Sequence, residues 1–102
     1  MDGKDEEAVD AVAVDQADDL AAPVEDLRQL VVYLATNLVD EPDAVEVTAE
    51  HRGSAVHLHL RVPQEELGKV IGRQGRIARA MRTALAIAGS RQNIRATLDI
   101  DD

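Results

Sequence analysis

Two glycines three residues apart, Gly72 and Gly75, interrupt a helical pattern in the second half of the chain. Glycine weakens a helix interior by about 1 kcal/mol relative to alanine and adopts turn conformations that other residues resist. The pattern therefore predicts two helices joined by the turn Gly72-Arg73-Gln74-Gly75. The first covers about Gln64 to Ile71, with Leu67, Val70 and Ile71 on its buried side. The second runs from about Gly75 to Ala88 with the apolar stripe Ile77, Met81, Ala84, Leu85 and Ala88, and Gly89 follows as a C-terminal cap.

The elements around this pair follow from periodicity. Pro23 suits a first helical position, and Val24, Leu27, Leu30, Val31, Leu34 and Leu38 recur at helical spacing until Pro42. Val45, Val47 and Ala49 then alternate with polar residues, as do Val56, Leu58, Leu60 and Val62 beyond the Arg52-Gly53-Ser54 turn. Period-two alternation around a glycine turn predicts a hairpin with one apolar face. A last strand covers about Asn93 to Ile100, with Ile94, Ala96, Leu98 and Ile100 inward. The order α-β-β-α-α-β predicts an α+β domain: a mixed three-stranded sheet, its last strand arriving through a helical crossover, with helices on one face.

The glycine turn carries the candidate chemistry. Removing Cβ atoms lets a sugar-phosphate backbone approach closely, and the amides opening the second helix favour an anion. Lys69, Arg73 and Arg76 add positive charge within about a turn, and Ile71 and Ile77 flank the cradle with apolar surface. Glycines at this spacing are common, and alone they would signify only a helix end and a turn. Their place between two helices, after Val70-Ile71 and before Arg76-Ile77, makes the signal more specific.

Charge distribution bears on the partner. The net charge is −9, but residues 1–23 hold eight acids against Lys4 alone. From Leu67 to Leu98 there are seven bases and no acid. Attraction to phosphate depends on this local field, not on the total. Tyr33 is the single aromatic residue, which disfavours recognition by base stacking. The absence of cysteine excludes disulfides, thiolate zinc sites and cysteine catalysis. No apolar run approaches the roughly 18 residues of a membrane span, and the acidic N-terminus does not read as a signal peptide. A cytoplasmic protein without a membrane association is the expectation. Residues 1–22 read as an acidic disordered tail and residues 23–102 as the domain.

Val70-Ile71-Gly72-Arg73-Gln74-Gly75-Arg76 resembles the signature of KH domains, and the α-β-β-α-α-β order is similar to their type II topology. The short length and the run Leu67-Gly68-Lys69-Val70-Ile71-Gly72 resemble the KhpA family of small stand-alone KH proteins. The resemblance covers about residues 24–101. It implies a non-enzymatic protein that binds single-stranded RNA, the loop clamping about four nucleotides of backbone, in the role of an RNA chaperone or post-transcriptional regulator. It also implies a homodimer, or a heterodimer with a larger KH-containing protein of the KhpB kind. By motif position the loop role falls on Gly72, Arg73, Gln74 and Gly75. The flanking groove role falls on Lys69, Ile71, Arg76 and Ile77.

Arg76, Arg79 and Arg82 step by three along the second long helix; such stripes are usually solvated, but Arg79 gains weight from its closeness to the loop. Ala78, Ala80, Ala84, Ala86 and Ala88 leave that helix thin, which suits close approach of a second chain if the flank is exposed. His57 and His59 share a strand face with His51 nearby, but solvated cross-strand pairs outweigh a metal site. No nucleophile triad, paired catalytic carboxylate or nucleotide fingerprint is present, so no enzyme activity, cofactor or metal is expected. The competing reading is a dimerising adaptor that binds little RNA.

Overall fold

The computed structural model describes residues 21–102. Helix α1 occupies residues 21–36 of this range. Helical backbone already includes residues 21 and 22, so Pro23 is not the first helical residue, as its position alone had suggested. The acidic stretch expected to form a tail lies, apart from those two residues, outside the described part. Leu27, Val31 and Ala35 are fully buried on one face of α1, and Leu30, Leu34 and Leu38 lie half-buried beside them. A short 3-10 turn at Pro42–Ala44 leads into the sheet.

Strands β1 (Glu46–Arg52) and β2 (Ala55–Arg61) form the antiparallel hairpin, with Gly53 at φ 59° in the turn. Pro63 stops the second strand. A 3-10 turn at Gln64–Glu66 runs into α2 (Leu67–Ile71), and after the glycine turn comes α3 (Arg76–Ser90). Strand β3 (Arg95–Asp101) pairs with β2 in parallel, giving the order β1-β2-β3. Parallel neighbours require a crossover, and α2 and α3 supply it. The α+β architecture with a mixed three-stranded sheet is therefore as the periodicity indicated.

The apolar parity of the strands faces the helices. Val56, Leu58, Leu60 and Val62 sit at the centre, against Val70, Met81, Leu85 and Leu98. Leu58 and Leu60 are wholly buried, each contributing about 1.5–3 kcal/mol over an exposed position. Both outer strands are tied by an arginine from a helix. Arg28 donates to the Val47 carbonyl at 3.3 Å and Arg82 to the Leu98 carbonyl at 3.0 Å. Occupying outer-strand carbonyls in this way blunts edges that otherwise invite pairing with another chain. It also commits Arg82, leaving it poorly placed for any role at the loop.

Two details differ from the periodicity. Gly89 is not a cap: it is buried inside the last turn of α3, and a Cβ there would lie 2.7 Å from the Ile94 carbonyl oxygen. Its small size lets α3 close directly onto the chain entering β3. The left-handed residue that reverses the chain is Asn93, at φ 61°, a conformation asparagine tolerates. Ala78, counted among the small flank residues, is buried.

His51 separates from the other two histidines. It pairs with Val56 in the hairpin register and takes the helix-side parity, whereas His57 and His59 lie on the open face. There His57 Nε2–H donates to Asp99 at 3.0 Å, its Nδ1 meets the Thr97 hydroxyl at 2.7 Å, and His59 Nε2–H donates to Asp101 at 2.9 Å. Among the described residues, no group of three or more His, Asp or Glu side chains is placed to hold a metal ion.

Candidate nucleic-acid interface

The loop between α2 and α3 is built from three successive demands on the backbone. Gly72 sits at φ 77°, ψ 172°, a region essentially reserved for glycine. A Cβ on Gly72 would also meet the Ile77 side chain at 2.6 Å. Gln74 and Gly75 follow in left-handed conformation, at φ 59° and φ 74°. For glutamine this conformation costs about 1 kcal/mol. Gly75 meets nothing within 4 Å of a notional Cβ, so the space beside it is open to an approaching backbone.

The loop closes on itself and leaves donors over. The Gly75 N–H donates to the Gly72 carbonyl and the Arg76 N–H to the Arg73 carbonyl. The amides expected from the start of α3 are thus partly spent. Arg73 and Gln74 are the first two residues of the 3-10 turn Arg73–Gly75, so neither N–H has a partner within that turn. These two neighbours are the amides available to an anion. The side chains of Arg73, Gln74, Arg76 and Arg79 are exposed, and Arg76 donates to the Gln74 side-chain oxygen at 3.2 Å. Among the described residues, Arg73, Arg76 and Arg79 have no carboxylate within 4 Å. Ile71 and Ile77 are half-buried beside the loop.

Lys69 is placed differently. Its ammonium lies 2.8 Å from Asp40 Oδ2 and 2.9 Å from Glu66 Oε1. Glu66 is 3% exposed, and its carboxylate also accepts the backbone N–H groups of Asp40 at 3.0 Å and Glu41 at 2.8 Å. The charged form of Glu66 is thereby favoured, first by the Asp40 N–H and then by Lys69, and its pKa falls below the usual 4.5 despite burial. The same two carboxylates raise the pKa of Lys69. The spacing put Leu67, Val70 and Ile71 on the buried side of this helix and missed Glu66. The available signal was its position four residues before Val70, on one helical face.

A carboxylate whose folded pKa is depressed stabilises the fold fully above its unfolded value and loses that contribution as pH falls through the lowered one. Wild-type protein is therefore expected to lose melting temperature as pH falls below about 4.5. Glu66→Gln is expected to start lower at neutral pH and to fall less over that acidic range. Melting curves followed by circular dichroism across pH check both slopes. Identical profiles for the two proteins would remove Glu66 from the account.

An apolar groove of about 510 Å³ lies between α1 and α3, walled by Tyr33, Leu34, Leu38, Ile77, Met81 and Ala84. Beside it Ala80, Ala84 and Ile87 form a stripe along α3. Tyr33 and Ile87 are the exposed large apolar side chains among the described residues. The alanine-rich flank is therefore partly open, and Ile87, absent from the stripe read from periodicity, stands at its end.

Against known families, residues 28–100 match the model described as KhpA/KhpB, KH domain. The chain belongs to this family. Three relatives, each called RNA-binding protein KhpA, illustrate the match. The one from Halalkalibacterium halodurans is 42% identical over 74% of this chain and 100% of its own length. That from Bacillus subtilis is 41% identical over 74% of this chain and 94% of its own. That from Aquifex aeolicus is 47% identical over 72% and 94%. No solved structure gives a significant match. The resemblance of the Val70–Arg76 segment to the KH signature thus extends over residues 28–100. Among the described residues, no helix is long and apolar enough to cross a membrane.

Proposed function

We propose that this KhpA/KhpB-family chain is a non-enzymatic, cytoplasmic RNA-binding protein that grips single-stranded RNA by its backbone, acting as an RNA chaperone or post-transcriptional regulator. The observation that carries the reading is the pair of N–H groups at Arg73 and Gln74 that open the 3-10 turn, in a loop whose exposed arginines have no carboxylate within reach among the described residues. A phosphate at those amides meets Arg73 and Arg76 as its countercharges, with Gly75 leaving room for the sugar. Ile71 and Ile77 supply apolar surface for a base, and Arg79 extends the positive edge along α3.

If about three phosphates are neutralised, log affinity for single-stranded RNA falls with log salt at a slope of about −2. Titrating a labelled single-stranded RNA at several salt concentrations measures it. A flat dependence would exclude phosphate contacts as the main source of binding.

The relatives' name speaks of RNA alone; assembly rests on the open flank of α3. A second copy seated on Ala80, Ala84 and Ile87 gives a homodimer, and a larger KhpB-like chain presenting a similar helix gives a heterodimer. Ala84→Glu places a charge in that flank and is expected to shift the light-scattering mass from dimer to monomer. A wild-type protein that stays monomeric at high concentration would end the homodimer reading.

A further inference from the structure

Helix α2 has five residues, far too few to persist without tertiary support, yet it delivers the chain into the Gly72–Gly75 loop. Its inner side is held by Val70, which is fully buried. Its other support is ionic. Glu66, at the foot of the helix, reaches the backbone just beyond α1 through the N–H groups of Asp40 and Glu41. That carboxylate is 4% exposed as a side chain, and Lys69 is the one cation within 4 Å of it among the described residues. A buried carboxylate left without its countercharge is strongly destabilising. Lys69 also meets Asp40, so the group of Asp40, Glu66 and Lys69 sums to −1. Such a group has no positive charge left to attract a phosphate.

We propose that Lys69 is a positioning residue, fastening α2 and the start of the glycine loop to the end of α1 through Glu66 and Asp40, and not a phosphate contact. The proposal rests on the RNA-binding reading for its functional consequence. The fastening itself is a property of the fold. Lys69 acts on RNA only by holding the loop in its binding geometry, while Arg73 and Arg76 carry the charge that meets the backbone.

The test compares Lys69→Met, Arg73→Ala, Glu66→Gln and the double variant Glu66→Gln/Lys69→Met in the full chain. Melting temperature and the salt dependence of binding to a labelled single-stranded RNA are measured for each. Lys69→Met is expected to lower the melting temperature by several degrees and weaken RNA binding a few-fold, with the salt slope unchanged. Arg73→Ala is expected to leave melting unchanged and to make the slope shallower by about 0.7, the amount for one lost phosphate contact on a single strand. Because the lysine neutralises the glutamate, the double variant should melt higher than the two single losses added together predict. The proposal is overturned if Lys69→Met melts like wild type and makes the slope shallower by the same amount as Arg73→Ala. Additive losses in the double variant overturn it too. Asp40→Asn adds an independent check: tighter RNA binding with a steeper slope would reveal Lys69 as a phosphate ligand that Asp40 merely occupies. Should wild type show no loop-dependent binding of RNA, the functional reading fails, while the melting arm still reports on the fastening.

Discussion

Replacing both Arg73 and Gln74 with aspartate is expected to abolish RNA binding at physiological salt with almost no loss of stability. The loop charge goes from +1 to −2 at the point where a phosphate must sit. Losing the Arg73 contact alone removes a charge-assisted hydrogen bond worth about 1.5–3 kcal/mol, a factor of roughly ten to a hundred. The two new carboxylates add repulsion and compete for the open amides. The fold has little at stake, because both side chains are exposed and Arg73 has no ion-pair partner among the described residues. Gln74 stands in left-handed conformation, which aspartate accepts more readily than glutamine does. Circular dichroism melting and RNA titration of the two proteins measure the two halves of this expectation. Unchanged affinity would take the loop out of the interface.

Gly72→Ala and Gly75→Ala are expected to part company, although the two positions look alike in sequence. At Gly72 an alanine combines a backbone region that costs about 1–3 kcal/mol with a clash against Ile77. The new Cβ would stand 2.6 Å from Ile77 Cγ1 and 2.9 Å from its Cβ, and the latter cannot swing aside by a rotamer change. A loss of about 2–4 kcal/mol follows. At Gly75 the cost is the left-handed backbone alone, about 1 kcal/mol, since nothing lies within 4 Å. RNA binding is expected to fail in the first variant through the loop's distortion. In the second it weakens because the methyl enters the space beside the open amides. Urea unfolding separates the two stabilities, and equal losses would contradict the packing of Ile77 under Gly72.

The sequence by itself determined the element order, the hairpin, the crossover and the loop. Those features are local or periodic: alternation in Val56 to Val62, helical spacing in Leu27 to Val31, and a glycine pair set between two helical patterns. It also located the candidate interface, because the Gly72–Gly75 turn and its arginines are contiguous in the chain. What the tertiary structure decided is how distant charges are spent. In the sequence Lys69 stands with Arg73 and Arg76 as a base beside the loop, and Arg82 as a base further along the helix that follows it. Asp40, 29 residues before Lys69, and the Leu98 carbonyl, 16 residues after Arg82, claimed Lys69 and Arg82. His51 left the other histidines because hairpin register, not proximity in sequence, sets which face a strand residue takes. Gly89 became a packing residue because the carbonyl of Ile94 returns against it. No periodicity encodes such meetings, since they arise only once the chain has folded back on itself and each charge settles against the partner that the core has brought within reach.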